Sequence, residues 1–350
     1  MPYILQEILD IIISFATVDR PNFSNCASLV SHTFHQIVLP YKFRSFVKYY
    51  HLTGVSKIPK FCEAINAGDA HALSLAPLVQ ELRLQLWHVT DMERTIDSFL
   101  SFQNLTKLSM QRCLTSPAIM EQLGRLLQLQ SLDTFHCALT GYGGRTAYGG
   151  LSNLQSLHTL ECHEDNAEFS RCLACISMKN LRILKSSDFN VIQALLTTYP
   201  TVQLKELWLT RDYHDSAVKY YDSVIWNYLA TQTSLTHLSL PHLREGPPAS
   251  LTFPFQELQY LCIRVALAPH FANQPLKVMK IYTETKPFRH WPGPTMAEVR
   301  QHWKDIVFPR VEYLVTDLLY DDEMDKIPIE FWREFLLNVK EVRSFGEWDG

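Results

Sequence analysis

The sequence predicts a mixed α+β to α/β repeat fold: an irregular solenoid of stacked strand-and-connector units, headed by a small all-helical module. Three observations lead there. Apolar residues fall on one template, in which an apolar residue is followed by two others, an apolar residue, one other and a third apolar or small residue. That template returns from Val79 to the end of the chain at a mean step of about 26 residues. The first 46 residues follow a different rhythm, with apolar residues at three- and four-residue steps, as on one face of a helix. The predicted organisation is therefore a helical module over 1–46, a helical linker over 47–77 and the repeat array over 78–350.

In the opening module, Ile4, Leu5, Ile8, Ile11, Ile12 and Phe15 trace the face of a first helix, with Pro2 in its first turn. Asp19-Arg20-Pro21-Asn22 breaks it, because the residue before a proline avoids the helical region. Asn22 or Ser24 can cap a second helix running to Val30. Ser31 can cap a third, with Phe34, Ile37 and Val38 on one face and Pro40 ending it. Three short helices bury too little surface to stand alone, so the module needs a partner or a following domain. Pro2, Ile4-Leu5, Glu7-Ile8-Leu9 and the string Leu29-Val30-Ser31-His32-Thr33-Phe34 resemble an F-box, and Ile37 to Arg44 is similar to the end of fungal F-box domains. The chain departs from that pattern at Met1, Tyr3 and Ser31-His32. The resemblance implies docking on a Skp-type adaptor of a cullin–RING ubiquitin ligase through Pro2, Ile4, Leu5, Ile8, Leu29, Val30 and Phe34.

Phe61-Cys62-Glu63-Ala64-Ile65 predicts a linking helix. The repeat follows, with clear copies at Val79/Leu82/Leu84, Leu105/Leu108/Met110, Leu204/Leu207/Leu209, Leu235/Leu238/Leu240, Leu258/Leu261/Ile263 and Leu276/Met279/Ile281. Weaker copies are Leu129/Leu132/Thr134, Leu157/Leu160/Cys162, Leu181/Leu184/Ser186, Val311/Leu314/Thr316 and Val339/Val342/Ser344. About eleven units with this template and period resemble leucine-rich repeats. The second and third anchors are two apart, so in a strand they point to one side, and only stacking buries them. Cys113 and Cys137 fall three residues past a third anchor, where a side chain can satisfy the backbone of the turn. Helices are expected over 216–230, with Val218, Tyr221, Ile225 and Leu229 on one side, and over 296–306, with Val299, Trp303 and Ile306. Pro287 to Pro294 and the glycines between Gly141 and Gly150 predict loops, either tolerated insertions or flaps over a ligand.

Composition limits the function classes. The 350 residues carry 32 Lys and Arg against 36 Asp and Glu, a formal charge of −4, with no basic run to hold nucleic acid. No apolar stretch is long enough for a membrane span. Glu7 and Asp10 replace the basic lead of a signal peptide, so cytoplasm or nucleus is expected, with reduced thiols. Cys172 and Cys175, with Cys162-His163 nearby, have zinc-like spacing, but a closed site needs four ligands in tetrahedral range, and Cys172 and Cys175 sit on one helical face turned to the core. Asp321-Asp322-Glu323 and Asp325 lack the turn glycine and distal Glu of a calcium loop and read as a solvated turn. No phosphate loop, nucleophile elbow or nucleophile–base pair is present, so neither metal nor cofactor nor catalytic residue is expected.

The residues flanking the inward anchors should form the open face of the array. Among them Trp208, Tyr260, Arg264, Tyr282 and Tyr313 gather aromatics and a cation on neighbouring units, the residue types that dominate binding hot spots. They are either a target-binding patch or rings covered by loops or a C-terminal segment. The expected function is that of a non-catalytic substrate receptor of an SCF-type ligase, with a protein target on the repeats. The alternative is a repeat scaffold with no ligase role.

Overall fold

A computed structural model describes residues 44–47, 57–85, 89–139, 150–160, 172–187, 189–209, 218–241, 243, 245–282, 296–316 and 327–343. The adaptor-docking set from Pro2 to Phe34 lies outside the described residues, as do Cys162, His163, the 140–149 glycines, the proline-rich 287–294 stretch and the 321–325 acids. The chain forms two compact units, one of residues 1–156 with 162–180, the other of 157–161 with 181–350.

In the first unit, strands β1 (Ser45–Val47), β2 (Glu81–Gln85), β3 (Lys107–Gln111) and β5 (Ser131–Phe135) lie side by side in parallel. Their register sets Phe46, Leu82, Leu108 and Leu132 in one row. The first anchors Val79, Leu105 and Leu129 are completely buried. β1 is a strand the sequence template misses, because Lys48 stands where a third apolar anchor is required. Helices α1 (Lys57–Asn66), α2 (Ala70–Leu75), α3 (Val89–Phe99) and α4 (Pro117–Gly124) supply the connectors. Gly68 turns the chain at φ 77° and Asp69 then caps α2, its carboxylate accepting from Ala72 N–H at 2.7 Å. Phe61 and Phe102 stack at 6.1 Å, beside a fully buried Phe99.

Cys113 and Cys137 do what their spacing predicts. Each is fully buried. Cys113 Sγ lies 3.6 Å from the Leu84 carbonyl, and Cys137 Sγ lies 3.4 Å from that of Met110, one unit back in each case. Arg112 and His136 precede them at φ 52° and 51°, turning the chain into the two-residue strands β4 (Leu114–Thr115) and β6 (Ala138–Leu139), which pair with each other. A second side-chain ladder runs along the edge where strands begin. Asn104 Nδ2 donates to Pro77 O, Gln128 Nε2 to Phe102 O, Asn153 Nδ2 to Leu127 O and Asn180 Nδ2 to Ser152 O, all at 2.7–3.1 Å.

The unit expected at Leu157/Leu160/Cys162 is shifted by three residues. Leu154, Leu157 and Thr159 are fully buried in the three anchor positions, and Leu160 is only half-buried at the end of β7 (Ser156–Leu160). Leucines at 154, 157 and 160 satisfy the spacing in either frame. The actual frame places Asn153 in the carboxamide ladder and lets the Thr159 hydroxyl meet that of Ser186 at 2.6 Å.

The second unit takes residues 157–160 of β7 and continues through β8 (Ile183–Ser186), β9 (Glu206–Leu209), β10 (His237–Leu240), β11 (Tyr260–Arg264), β12 (Val278–Tyr282), β13 (Tyr313–Thr316) and β14 (Glu341–Arg343). From β8 to β14 each strand is parallel to the next, with Leu184, Leu207, Leu238, Leu261, Met279, Leu314 and Val342 aligned. Connectors are α5 (Phe189–Thr198), α6 (Val218–Leu229), a 3-10 stretch (Val265–Phe271), α7 (Met296–His302) and α8 (Ile329–Arg333). α6 turns Ile225 and Leu229 inward, and the α7 segment buries Val299 and Trp303 completely. Residues 245–255 carry no regular element, and aromatic packing fills the space instead. Phe253 stacks on Phe271 at 5.3 Å and packs at a tilt on Trp226 at 5.6 Å. Trp303 donates its indole N–H to Val265 O at 2.9 Å.

Cys172 is buried but Cys175 is exposed, so the expectation that both face core is corrected for Cys175. The short helix ends between them, which turns the second thiol to solvent. Among the described residues, no group of three or more His, Cys, Asp or Glu could hold a metal ion, and no helix is long and apolar enough to cross a membrane.

Candidate target-binding face

Parallel register turns the residues beside each buried anchor into rows. In the second unit one row runs Ile183, Glu206, His237, Tyr260, Val278, Tyr313, Glu341, and the next runs Lys185, Trp208, Ser239, Cys262, Lys280, Val315, Arg343. Both rows share one face of the sheet, because side chains alternate along a strand.

Trp208 and Tyr260 meet, with ring centroids 5.0 Å apart. They sit two strands apart, and Ser239, the register partner of Trp208 on β10, is small enough for the indole to reach across. His237 joins them, its ring 6.3 Å from Trp208 and 5.7 Å from Tyr260. Thr236 Oγ1 lies 2.9 Å from His237 Nδ1 and fixes that ring. On β8, Lys185 Nζ stands 4.8 Å from the centre of the Trp208 ring and 3.7 Å from the Glu206 carboxylate. Glu206 in turn accepts the Trp208 indole N–H at 3.2 Å. A contact of this cation–π kind contributes about 1 kcal/mol when half-exposed. Lys185 and Glu206 therefore hold Trp208 in place and leave its side chain little freedom.

Of the residues predicted for this face, Trp208 is half-buried, while Tyr260 is 9% exposed and lies among its neighbours. Burial pushes the Tyr260 phenol well above its usual range. Arg264 and Tyr282 are register partners. Arg264 donates to Pro241 O at 3.2 Å, and Lys280 Nζ stands 5.6 Å from the Tyr282 ring centre. Tyr313 shares the row of Tyr260 but lies two strands away, across Val278. The face thus holds a tight group, Lys185–Glu206–Trp208–His237–Tyr260, and a looser one around Arg264, Lys280 and Tyr282. Lys185 is the member that sequence reasoning missed. Its only signal was its place between Leu184 and Ser186, in a unit whose third anchor is a serine.

Most strands follow an apolar-x-x-apolar template, strands within each unit stack in register on the next, and cysteines close the turns of the units at β3 and β5. The architecture is a leucine-rich-repeat fold. No protein-family model matches the chain, and no curated protein matches it. Among solved structures, an internalin (inlF) from Listeria monocytogenes aligns at 10% identity and a TM-score of 0.33, over 81% of this chain and 64% of its own. TLR13 in complex with ssRNA13 aligns at 15% identity and a TM-score of 0.34, over 69% of this chain and 40% of its own. The leucine-rich-repeat ectodomain of the Arabidopsis thaliana membrane receptor kinase GASSHO1/SCHENGEN3, in complex with CASPARIAN STRIP INTEGRITY FACTOR 2, aligns at 13% identity and a TM-score of 0.25, over 78% of this chain and 37% of its own. The chain spans less than two thirds of the length of each.

Proposed function

We propose that this chain is a non-catalytic substrate-receptor subunit of a cullin–RING, SCF-type ubiquitin ligase. In this reading the opening stretch holds a Skp-type adaptor, and the sheet face of the second unit holds a target protein. The observation that carries the target-binding half is the pre-ordered Trp208 group, a partly exposed indole fixed by Lys185 and Glu206. The adaptor half rests on the F-box resemblance of residues 2–34. Such a subunit needs no reactive side chain, since its contribution is to raise the local concentration of target beside a loaded enzyme.

Co-expression with a Skp-type adaptor tests the first half. Ile8→Asp and Leu29→Asp, which put a carboxylate into an apolar interface, should each abolish a complex that co-purifies through gel filtration. Full adaptor binding by both variants would leave the scaffold without a ligase role as the better reading. Proximity labelling with the ligase blocked identifies the target. Trp208→Ala should then weaken target capture about tenfold or more, with adaptor binding unchanged.

A further inference from the structure

A second feature of the second unit lies away from the Trp208 face, on the edge where its strands begin. The residue two before each middle anchor forms a row there, and backbone hydrogen bonds hold it at the strand step. Thr236 N donates to Lys205 O, Gln259 N to Thr236 O, Lys277 N to Gln259 O, Glu312 N to Lys277 O and Lys340 N to Glu312 O, all at 2.8–2.9 Å. The row reads Arg182, Lys205, Thr236, Gln259, Lys277, Glu312, Lys340, and all but Thr236 and Glu312 are exposed. The equivalent row of the first unit, Arg44, Gln80, Thr106, Gln130 and Gln155, carries one charge, on Arg44. A basic edge therefore stands on a chain whose formal charge is −4.

Two cavities open on this edge. One of about 670 Å³ crosses the starts of β11 to β14, lined by Gln259, Lys277, Arg310, Glu312 and Lys340 among others. A second of about 580 Å³ shares Gln256, Pro275 and Arg310 with it and extends to Val307, which is 40% exposed. Glu312 is committed, since Lys340 Nζ lies 2.6 Å from its carboxylate. That bond, with the nearby Lys277, holds the Glu312 carboxyl below the usual range. Among the described residues Arg310 makes no hydrogen bond or ion pair, though it lines both cavities.

We propose that this groove binds an extended acidic segment of a protein partner, with carboxylates on Arg310 and Lys277 and an aliphatic side chain against Val307 and Pro275. Arginine takes a carboxylate through two parallel N–H donors. The exposed amides of Gln256 and Gln259 can both donate to and accept from a peptide backbone. A polyphosphate fits less well, because Glu257 and Glu312 line the same cavity and would repel its dense charge. A peptide spaces its carboxylates and avoids them.

The test uses the full chain and fluorescein-labelled Glu-Glu-Leu-Glu-Glu-Leu, followed by anisotropy, with Lys-Lys-Leu-Lys-Lys-Leu and tripolyphosphate as comparison ligands. The acidic peptide should bind, and more weakly as salt is raised. Arg310→Gln should weaken it several-fold, and Arg310→Glu with Lys277→Glu at least tenfold, both positions being exposed and outside the core. Arg125→Glu, a charge reversal at an exposed arginine of the first unit, should leave binding unaltered. Trp208→Ala should also leave it unaltered, which separates this groove from the target face. Equal binding by the double variant, equal binding of the lysine peptide, or tighter binding of tripolyphosphate than of the acidic peptide would overturn the assignment.

Discussion

Cys113 and Cys137 act as weak hydrogen-bond donors inside a turn, while Cys62 and Cys262 are small apolar residues wedged among helices and strands. The last two set a pH limit on the fold. Burial pushes the Cys262 thiol up to about 11, against which a contact with Ser239 and the charge of Lys280 pull only weakly. Burial likewise raises Cys62 to about 11. In an unfolded chain these thiols ionise near ~8.5. The unfolded state therefore loses its protons first as pH rises. The stability contributed by each thiol is intact below about pH 8.5 and falls toward pH 11, by on the order of 3 kcal/mol per thiol. Urea midpoints should drop across that window, and Cys262→Ala with Cys62→Ala should flatten the drop. A midpoint constant from pH 8 to 11 would refute it. Cys175, exposed, should react with a thiol reagent in the folded protein before either of them.

At the scale of elements, the carboxamide ladder does work that the leucines cannot. A leucine fills the space between units but cannot satisfy the carbonyls at the end of a connector. Asn153 and Asn180 reach back one unit to Leu127 O and Ser152 O and so fix the angle at which each strand is entered. In the second unit Gln203 reaches forward one unit to Thr231 O, and buried Gln232 reaches back to bond both Leu204 N and Val202 O. Asn153→Ala should cost about 1 kcal/mol, and Gln232→Ala, which strands buried partners, about 1–3 kcal/mol. Chemical denaturation of both variants checks the order, and an equal or reversed cost would count against the assignment. α6 shows how an irregular segment is secured without a helix of its own. Asp222 accepts from Glu245 N–H at 3.0 Å, and Trp226 donates to Glu245 O at 2.9 Å, so the start of 245–255 is stapled at both its backbone groups.

For the whole molecule, stacking makes each unit depend on its immediate neighbours rather than on a single central core. A cavity opened in the middle of the second unit should therefore be felt strongly. Leu238 is completely buried between the rows of β9 and β11, and Leu238→Ala should cost about 2–5 kcal/mol. Hydrogen exchange should show that loss concentrated in β9 to β11. Loss spread evenly over the chain would argue against nearest-neighbour coupling. Surface chemistry divides along the same lines. The face beside the anchors presents rings and one fixed indole, while the strand-entry edge presents cations, so two surfaces of one unit suit two chemistries.

The leucine template and its step needed no structure, since an apolar residue two places from another in a strand must share its side and must be buried by something. That determined β2, β3, β5 and β8 to β14, together with the turn role of Cys113 and Cys137. The exceptions are instructive. At β7 three leucines spaced by three fit two frames, and only packing against β8 chose the one that leaves Thr159 bonded to Ser186. At β1 the pattern is too degenerate to read alone, and a paired neighbour supplies the missing register. The candidate face was legible as a set of residue types, but which rings touch was not. Contact between Trp208 and Tyr260 depends on a serine in the strand between them, and the clamp on Trp208 on a lysine one strand away. Those relations exist only across hydrogen-bonded neighbours far apart in the chain, and so tertiary structure alone decides them.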